Sequence, residues 1–188
     1  DGEKIKEIGL DRRIGELPQL VRLKGNRKLD GELFLFTNVT GRVLWPDGNR
    51  SLKKEEQGQL VQDDFSHEQY LIIKENDQEV LLSGCAHNGI INILEEAVRL
   101  RGRQPDAVIS GFHTRKRQGY EKEDLQMLQK MGRRLREYRS IFYTGHCTGE
   151  EAFALLRKEM GNQIQSIYTG WQMEYGPHPF YTLPPNFS

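Results

Sequence analysis

The fold is decided by one predicted strand and its ending, Glu79-Val80-Leu81-Leu82-Ser83-Gly84-Cys85-Ala86-His87. The apolar run predicts a buried strand, and glycine lets the backbone turn sharply where the strand ends. The same ending, Ser or Thr followed by Gly, closes three further predicted strands: Ser110-Gly111-Phe112-His113, Thr144-Gly145-His146-Cys147 and Thr169-Gly170-Trp171-Gln172. Three of these four endings therefore place a histidine within three residues of the glycine.

Strand and helix patterns alternate around these endings. Segments 70–74 and 79–83 predict a hairpin with a four-residue loop. One face of a predicted helix carries the apolar residues Ile90, Ile93, Leu94, Ala97 and Val98. Further strands are predicted at 107–110, 140–143 and 166–169, and further helices at about 121–138 and from a Thr148–Glu151 capping box to Met160. This alternation predicts an α/β layered fold.

The first 60 or so residues have a weaker pattern. Residues 33–39 predict a strand rich in aromatic and aliphatic side chains. The turn-rich, charged stretch at about 41–58 predicts a mobile surface loop. Since the chain has 188 residues and no internal repeat, we expect a single domain over residues 1–188, irregular over 1–60 and extended after Gly176.

Composition excludes several classes of function. The 27 Lys and Arg balance the 27 Asp and Glu, so bulk charge does not favour binding to nucleic acid or to an anionic membrane. The sequence contains no apolar run of about 18 residues, which a transmembrane helix needs. Two cysteines do not make a disulfide scaffold, so we expect reduced thiols and a cytoplasmic location.

The strand endings point to metal chemistry. The carboxyl ends of strands in an open α/β sheet form the ligand crevice, so three imidazoles and two thiols are expected to converge there. Neutral imidazole nitrogen and thiolate sulfur are zinc ligands. Cys85 and Cys147 lack the spacing of a zinc knuckle and are interpreted as small buried neighbours of the site rather than ligands. His67 and His178 lie outside the pattern and are expected on the surface or in loops.

Three other groups have two interpretations each. The basic run Arg115-Lys116-Arg117 is a solvated loop or binds an anionic group such as phosphate. The acidic stretch Asp63-Asp64-Phe65-Ser66-His67-Glu68 is a loop with a helical turn, or its carboxylates orient a metal-bound histidine. Gln172 and Glu174 either pack the last strand or reach the crevice.

The motifs resemble the metallo-β-lactamase superfamily, and in particular the branch named for 7,8-dihydropterin-6-methyl-4-(β-D-ribofuranosyl)aminobenzene 5′-phosphate synthase. The matching residues are Gly84-Cys85-Ala86-His87-Asn88-Gly89-Ile90-Ile91-Asn92, Gly111-Phe112-His113 and His146-Cys147-Thr148-Gly149, preceded by Asp63-Asp64-Phe65 and Glu68. The match covers roughly residues 60 to 175. The combination of Gly-Cys-x-His with His-Cys-Thr-Gly is fairly specific, whereas either alone is weak.

This resemblance implies a four-layer αβ/βα sandwich with one or two divalent metal ions, commonly zinc, although Mn, Fe or Mg are possible. It implies that His87 and His146 are metal ligands and that His113 lies at the active-site rim as a catalytic group, a substrate contact or an auxiliary ligand. Arg115, Cys85 and Thr148 become candidates for substrate binding. Asp64 and Glu68 become candidates for supporting a metal-bound histidine.

One departure from the family pattern affects the expected extent of the chain. The superfamily signature His-x-His-x-Asp-His is absent, since no two histidines lie closer than 20 positions apart. We therefore expect the chain to be the C-terminal portion of a longer protein, found with its N-terminal remainder or as a homodimer. A natural homologue that has lost catalysis is the alternative. An exposed apolar sandwich face is unfavourable in water, which favours such a partner.

The resemblance implies an enzyme, a metal-dependent hydrolase or transferase acting through metal-activated water on a phosphorylated or pyrophosphorylated small molecule, with a pterin-type substrate possible. The alternative is a non-catalytic module that binds metal or a partner on a degenerate metallo-β-lactamase fold. A nucleotide-binding domain is disfavoured, because no Gly-x-Gly-x-x-Gly or Gly-x-x-x-x-Gly-Lys-Ser/Thr motif follows any predicted strand.

Overall fold

The computed structural model describes residues 6–174 and 181–183, which form a mixed sheet with helices against one face. Its strands are β1 (Arg27–Lys28), β2 (Leu33–Phe36), β3 (Lys53–Glu56), β4 (Gln59–Gln62), β5 (Tyr70–Glu75), β6 (Gln78–Leu82), β7 (Ala107–Ile109), β8 (Ile141–Thr144), β9 (Ile164–Ser166), β10 (Gln172–Glu174) and β11 (Tyr181–Leu183). Its α-helices are α1 (Ile90–Arg101), α2 (Lys122–Arg136) and α3 (Glu150–Met160).

The main sheet has seven strands in the order β1-β2-β5-β6-β7-β8-β9. The pairs from β1 to β6 are antiparallel, whereas β6, β7, β8 and β9 run parallel to one another. Each pair of neighbouring parallel strands is joined by a crossover connection that contains a helix, as is usual for parallel strands. The α/β alternation predicted from Tyr70 onward is therefore confirmed, and the carboxyl ends of β6, β7 and β8 lie at one edge.

The strand register explains where the core lies. One row of neighbouring residues crosses the sheet through Ile72, Leu81, Val108, Phe142 and Ile164. All five are buried in the core that the sheet shares with the helices. The predicted apolar face of α1 lies in the same core, because Ile90, Ile93, Leu94 and Ala97 are buried there. This packing fixes the parallel strands against the helices that follow them.

The opposite face of the sheet is apolar but less covered. Its central row passes through Leu35, Leu71, Leu82, Ile109 and Tyr143. Leu82 is 39% exposed, whereas Tyr143 is buried under Trp171, with ring centroids 5.0 Å apart. The sheet therefore has one face buried by helices and one face covered only near β8.

The stretch at 41–58 differs from the predicted loop. It contains a 3₁₀-helix, Asp47–Ser51, and strand β3, which pairs with β4 in a separate hairpin. Asn49 in this 3₁₀-helix is completely buried. The prediction of a mobile loop was wrong because the order of this segment depends on contacts with residues far along the chain, which its charged, turn-rich composition does not show.

Three local predictions were wrong. The loop of the β5–β6 hairpin has two residues, Asn76 and Asp77, rather than four, because Glu75 pairs with Gln78. The last parallel strand is Ile164–Ser166, not 166–169, because the 3₁₀-helix Gly161–Gln163 leads from α3 directly into β9. The Thr169-Gly170 pair therefore lies in a turn beyond the strand. The capping box is also absent: α3 begins after Gly149, whose φ is +78°, and its cap has no side-chain hydrogen bond.

The tail is described only in part. Strand β10 pairs antiparallel with β11, and Gln172 is exposed in β10. The Glu174 side chain, His178 and most of the segment after Gly176 lie outside the described residues. Among the helices described, none combines the length and the apolar character needed to cross a bilayer.

Candidate functional site

The histidine-bearing turns after β6, β7 and β8 have unusual backbone conformations. Ala86, His113 and His146 have φ values of 58°, 49° and 50°, in the left-handed region that residues other than glycine rarely adopt. Each such residue costs about 1 kcal/mol or more, and such residues cluster at functional sites. The three turns that the sequence singles out are therefore strained in the same way.

Hydrogen bonds join these turns into one structure. The Gly111 amide donates to the Gly84 carbonyl at 2.8 Å, which links the ends of β6 and β7. The Arg115 amide donates to the Cys147 carbonyl at 2.9 Å, which links the ends of β7 and β8. The residues beyond the three strands therefore form one continuous edge.

His87 is held in a defined tautomer by Asn49. Asn49 Nδ2 donates to the His87 carbonyl at 2.6 Å, which orients the amide so that Oδ1 lies 2.8 Å from His87 Nδ1. Because Oδ1 can only accept, the ring proton lies on Nδ1 and leaves the lone pair on Nε2 free. The ring stacks on Phe65 at 4.5 Å, and burial lowers the pKa of His87.

His113 lies against His87, with ring centroids 4.0 Å apart. Burial, followed by the neighbouring His87, lowers the pKa of His113 to about 4. Its Nδ1 is buried and has no hydrogen-bond partner among the described residues. Both rings are thus neutral near pH 7, which is the form in which imidazole binds a metal.

Glu68 supports the His87 turn through the backbone. Its Oε1 accepts the His87 amide at 2.7 Å, and its Oε2 accepts the Asn88 amide at 2.9 Å and the Tyr70 hydroxyl at 2.6 Å. Burial and the nearby carboxylate raise the pKa of Tyr70. Glu68 therefore fixes the main chain that presents His87, rather than contacting its ring.

Asp64, the other predicted supporting carboxylate, has different partners. Its Oδ1 accepts from Lys54 Nζ at 3.0 Å and from the Ser66 amide at 3.1 Å. The Lys54 ammonium lowers the pKa of Asp64 to about 2. The structure thus places Asp64 in an ion pair with the β3–β4 hairpin. His67, predicted to lie outside the site, is exposed.

His146 lies with the two cysteines rather than with His87. Its Nδ1 is 3.9 Å from Cys85 Sγ, and one ligand atom from each of Cys85, His146 and Cys147 lies within 4.8 Å of the others. Among the described residues, this is the group of three metal-binding side chains that the structure brings together. Burial raises the pKa of Cys147 to about 12. The predicted ligands His87 and His146 therefore lie in two neighbouring groups.

A cleft beside His146 contains two of the predicted substrate-binding residues, Arg115 and Thr148, whereas Cys85 lines a different cavity. It has a volume of about 560 Å³ and is lined by Arg115, Lys116, Thr148 and Glu150, among others. Arg115 is exposed, whereas Lys116 is paired with Asp124. The Thr148 hydroxyl is buried and accepts the Phe112 amide at 3.0 Å, so it joins two turns instead of capping α3.

The donor atoms at this edge fit a divalent metal. His87 offers a free Nε2, the buried Nδ1 of His113 lacks a described partner, and two sulfurs lie beside His146. The sequence did not predict that Asn49 and Phe65 position His87, although Phe65 belongs to the quoted acidic motif. No local pattern identifies them, because Asn49 is 38 residues from His87 and resembles an ordinary turn residue.

We expect Asn49→Ala to release the His87 ring from its Nδ1–H tautomer. Two-dimensional ¹H–¹⁵N NMR of the imidazoles should show one tautomer in the wild type and a mixture in the variant. Loss of two hydrogen bonds to a buried amide should also destabilise the protein by about 2 kcal/mol. Gln129→Ala, which removes an exposed amide on α2, is the control. An unchanged His87 spectrum in the Asn49 variant would contradict the assigned role.

The comparisons with known proteins agree with the fold. No protein-family model matches the chain. A crystal structure of a metal-dependent hydrolase of the β-lactamase superfamily has a TM-score of 0.63 and 26% sequence identity, and the match covers 78% of this chain and 55% of that one. The strand and helix arrangement and this match together show that the chain has a fold similar to that of the metallo-β-lactamase superfamily.

A second match is a similarity in sequence to one relative. Over 121 residues the chain is 28% identical to the 7,8-dihydropterin-6-methyl-4-(β-D-ribofuranosyl)-aminobenzene-5′-phosphate synthase of Methanocaldococcus jannaschii. The aligned part is 63% of this chain and 39% of the synthase. The chain therefore resembles the branch that its Gly-Cys-x-His and His-Cys-Thr-Gly motifs predict, and it spans about half or less of these relatives.

Proposed function

We propose that this chain forms part of the active site of a metal-dependent hydrolase or transferase that acts on a phosphorylated small molecule, with a phosphorylated pterin compound as one candidate. The observation that carries the proposal is the convergence of three histidines on strained turns at one sheet edge. The two relatives support it by their names, one a metal-dependent hydrolase and the other a synthase of a 5′-phosphate compound.

His87 and His146 are the proposed metal ligands. Asn49 holds the His87 proton on Nδ1, so the Nε2 atom is the one that would bind the metal. Metal-binding histidines are usually oriented in this way by a hydrogen bond from the other ring nitrogen. The ion, zinc or another divalent metal such as Mn, Fe or Mg, would supply activated water by lowering its pKa towards 7. His113, held neutral beside His87, is proposed to contact the reacting group of the substrate.

The substrate phosphate is proposed to bind at the Arg115 end of the cleft. Arg115 is the exposed cation in the cleft lining, whereas the neighbouring Lys116 is neutralised by Asp124. A guanidinium matches the geometry of phosphate oxygens through two parallel hydrogen bonds. Glu150 and Glu151 also line the cleft and would repel an anion that lies beside them. Thr148 is proposed to support this cleft by joining two of its turns, and Cys85 is proposed on the neighbouring cavity that it shares with His146.

The open sheet face is the proposed contact for the rest of the enzyme. Leu82 is 39% exposed, and Leu35, Leu71 and Ile109 on the same row are only partly buried. A second layer, from an N-terminal remainder or from a second copy, would remove this apolar surface from water. Native mass spectrometry without chelators should show a species that is heavier than this chain alone and that carries one or two metal ions. We also propose a cytoplasmic setting, which suits the two free thiols.

Hydrolysis assays on the complete natural protein test the proposed function. We expect turnover of generic phosphodiesters and esters that a chelator removes and that Zn²⁺ or Mn²⁺ restores. His146→Ala should lower kcat/KM by about 100-fold or more, beyond the loss seen when an outer partner of a metal ligand is removed. His67→Ala, an exposed histidine, is the matched control. Metal binding without turnover would instead support a non-catalytic binding module.

A further inference from the structure

We infer that Cys85, His146 and Cys147 together form a binding site for a soft divalent cation such as Zn²⁺, in which both cysteines are ligands. This reverses the interpretation of the cysteines as mere neighbours of the site. The inference rests on the proposed function only in that His146 serves a metal in both. It concerns binding and does not require that any substrate is turned over.

The three donor atoms already lie close together. Cys85 Sγ and His146 Nδ1 are 3.9 Å apart, and the three donors lie within 4.8 Å of one another. Ligands of a tetrahedral zinc ion, at about 2.0 to 2.3 Å from the metal, are separated by roughly 3.5 to 3.8 Å. Small side-chain rotations therefore suffice to bring the donors to a common ion, without a change in the strands.

The backbone holds this arrangement in place. Cys85 and Cys147 lie on the turns after β6 and β8, and the Gly111 turn lies between them. A Cβ atom on Gly111 would lie 2.4 Å from Cys147 Sγ, so glycine at this position leaves the room that the thiol occupies. His146 is fixed in the left-handed region, with φ of 50°. Three elements of the sheet edge thus position one donor group before any ion arrives.

The chemistry of the donors selects the ion. Two sulfurs and one imidazole favour Zn²⁺ and disfavour Mg²⁺, Ca²⁺ and Mn²⁺, which prefer oxygen. Cys147 Sγ lies 3.6 Å from the Cys85 carbonyl. Both thiols would release a proton on binding the cation, because a coordinating thiol is deprotonated.

The site also has space for a fourth ligand. Cys85 and His146 line a cavity of about 560 Å³ together with Ser83, Ile109 and Tyr168. Three protein ligands and one open position are typical of zinc sites that exchange water or a small ligand, whereas structural sites are closed by four protein ligands. We therefore expect an exchangeable water or small ligand to complete the coordination.

Co²⁺ titration of the full chain under reducing conditions tests this inference. Thiolate ligands give Co²⁺ an intense ligand-to-metal charge-transfer absorption in the near ultraviolet, and its intensity scales with the number of thiolates. We expect an absorption that corresponds to two thiolates and that Zn²⁺, but not Mg²⁺, abolishes. Cys85→Ser and Cys147→Ser should each remove about half of it and weaken Co²⁺ binding by about 100-fold. His67→Ala should leave both unchanged.

A second measurement avoids substitutions that could disturb folding. In the wild-type chain, Zn²⁺ should slow alkylation of both thiols, as followed by mass spectrometry, and Mg²⁺ should not. Absence of the charge-transfer absorption, or equal alkylation rates with and without Zn²⁺, would overturn the inference. An absorption present in a complete protein that hydrolyses nothing would uphold this site while refuting the proposed function, so the two failures are distinguishable.

Discussion

Glu68→Ala is expected to lower the free energy of unfolding by about 4 kcal/mol, because it removes a carboxylate that accepts several hydrogen bonds in a poorly solvated place. The His87 and Asn88 amides and the Tyr70 hydroxyl would lose their acceptor. Tyr70 and Asn88 are both about 1% exposed, so water does not readily replace the lost partner. Each buried donor left unsatisfied costs about 1 to 3 kcal/mol.

Urea denaturation followed by far-ultraviolet circular dichroism measures this effect. Glu137→Ala is the matched control, since Glu137 is 60% exposed and pairs with Arg134 at the surface, where such ion pairs contribute about 1 kcal/mol or less. Glu68→Gln should show an intermediate loss of stability. The amide oxygen of glutamine can still accept a hydrogen bond, whereas its NH₂ group cannot accept from the remaining donors. A Glu68→Ala variant as stable as the control would mean that the carboxylate does not organise the His87 turn.

Much of the fold could be predicted because the sequence repeats a local pattern. From Tyr70 onward, each strand is a short apolar run and each helix has an apolar face, so the order of elements follows from periodicity. The Ser/Thr-Gly endings also placed His87, His113 and His146 at one edge, since parallel strands end on the same side. These inferences need only neighbours along the chain and the rules of sheet topology.

The grouping of the site could not be predicted in the same way. Periodicity fixes which edge a histidine occupies but not the direction of its side chain, which depends on the left-handed backbone at His113 and His146. In the structure, the His87 ring lies beside Asn49 and the His146 ring lies beside Cys85. Asn49 comes from a stretch that predicted a loop, and its burial depends on contacts that no local pattern encodes.

The predicted role of the glycines was too general, as the structure assigns them different functions. Gly84 has open space around its missing Cβ, whereas a Cβ on Gly145 would lie 2.6 Å from the Ile167 carbonyl oxygen. Both have a backbone that any residue adopts, since the φ of Gly145 is −169°. Gly145 is thus required by close approach of β8 and the residue after β9, not by a turn that only glycine permits.

Gly145→Ala is therefore expected to destabilise the protein by about 3 kcal/mol, the upper part of the usual range for an added methylene in a packed site. The clash is with main-chain atoms, and the Ile167 amide donates to the Thr144 carbonyl at 2.9 Å, so relief of the clash weakens the sheet. Gly84→Ala is the control and should change stability by less than about 0.5 kcal/mol.

Gly145→Ala should also affect the edge of the sheet that carries His146. Gly145 immediately precedes His146, and Ile167 and Tyr168 line both cavities beside that histidine. Displacement of this segment moves His146 away from Cys85, so Gly145→Ala should weaken Co²⁺ binding, whereas Gly84→Ala should not. Equal stability and equal Co²⁺ affinity in the two alanine variants would show that the close approach to Ile167 does not position His146. A loss confined to Gly145→Ala would tie the packing of the last parallel strand to the metal ligand that precedes it.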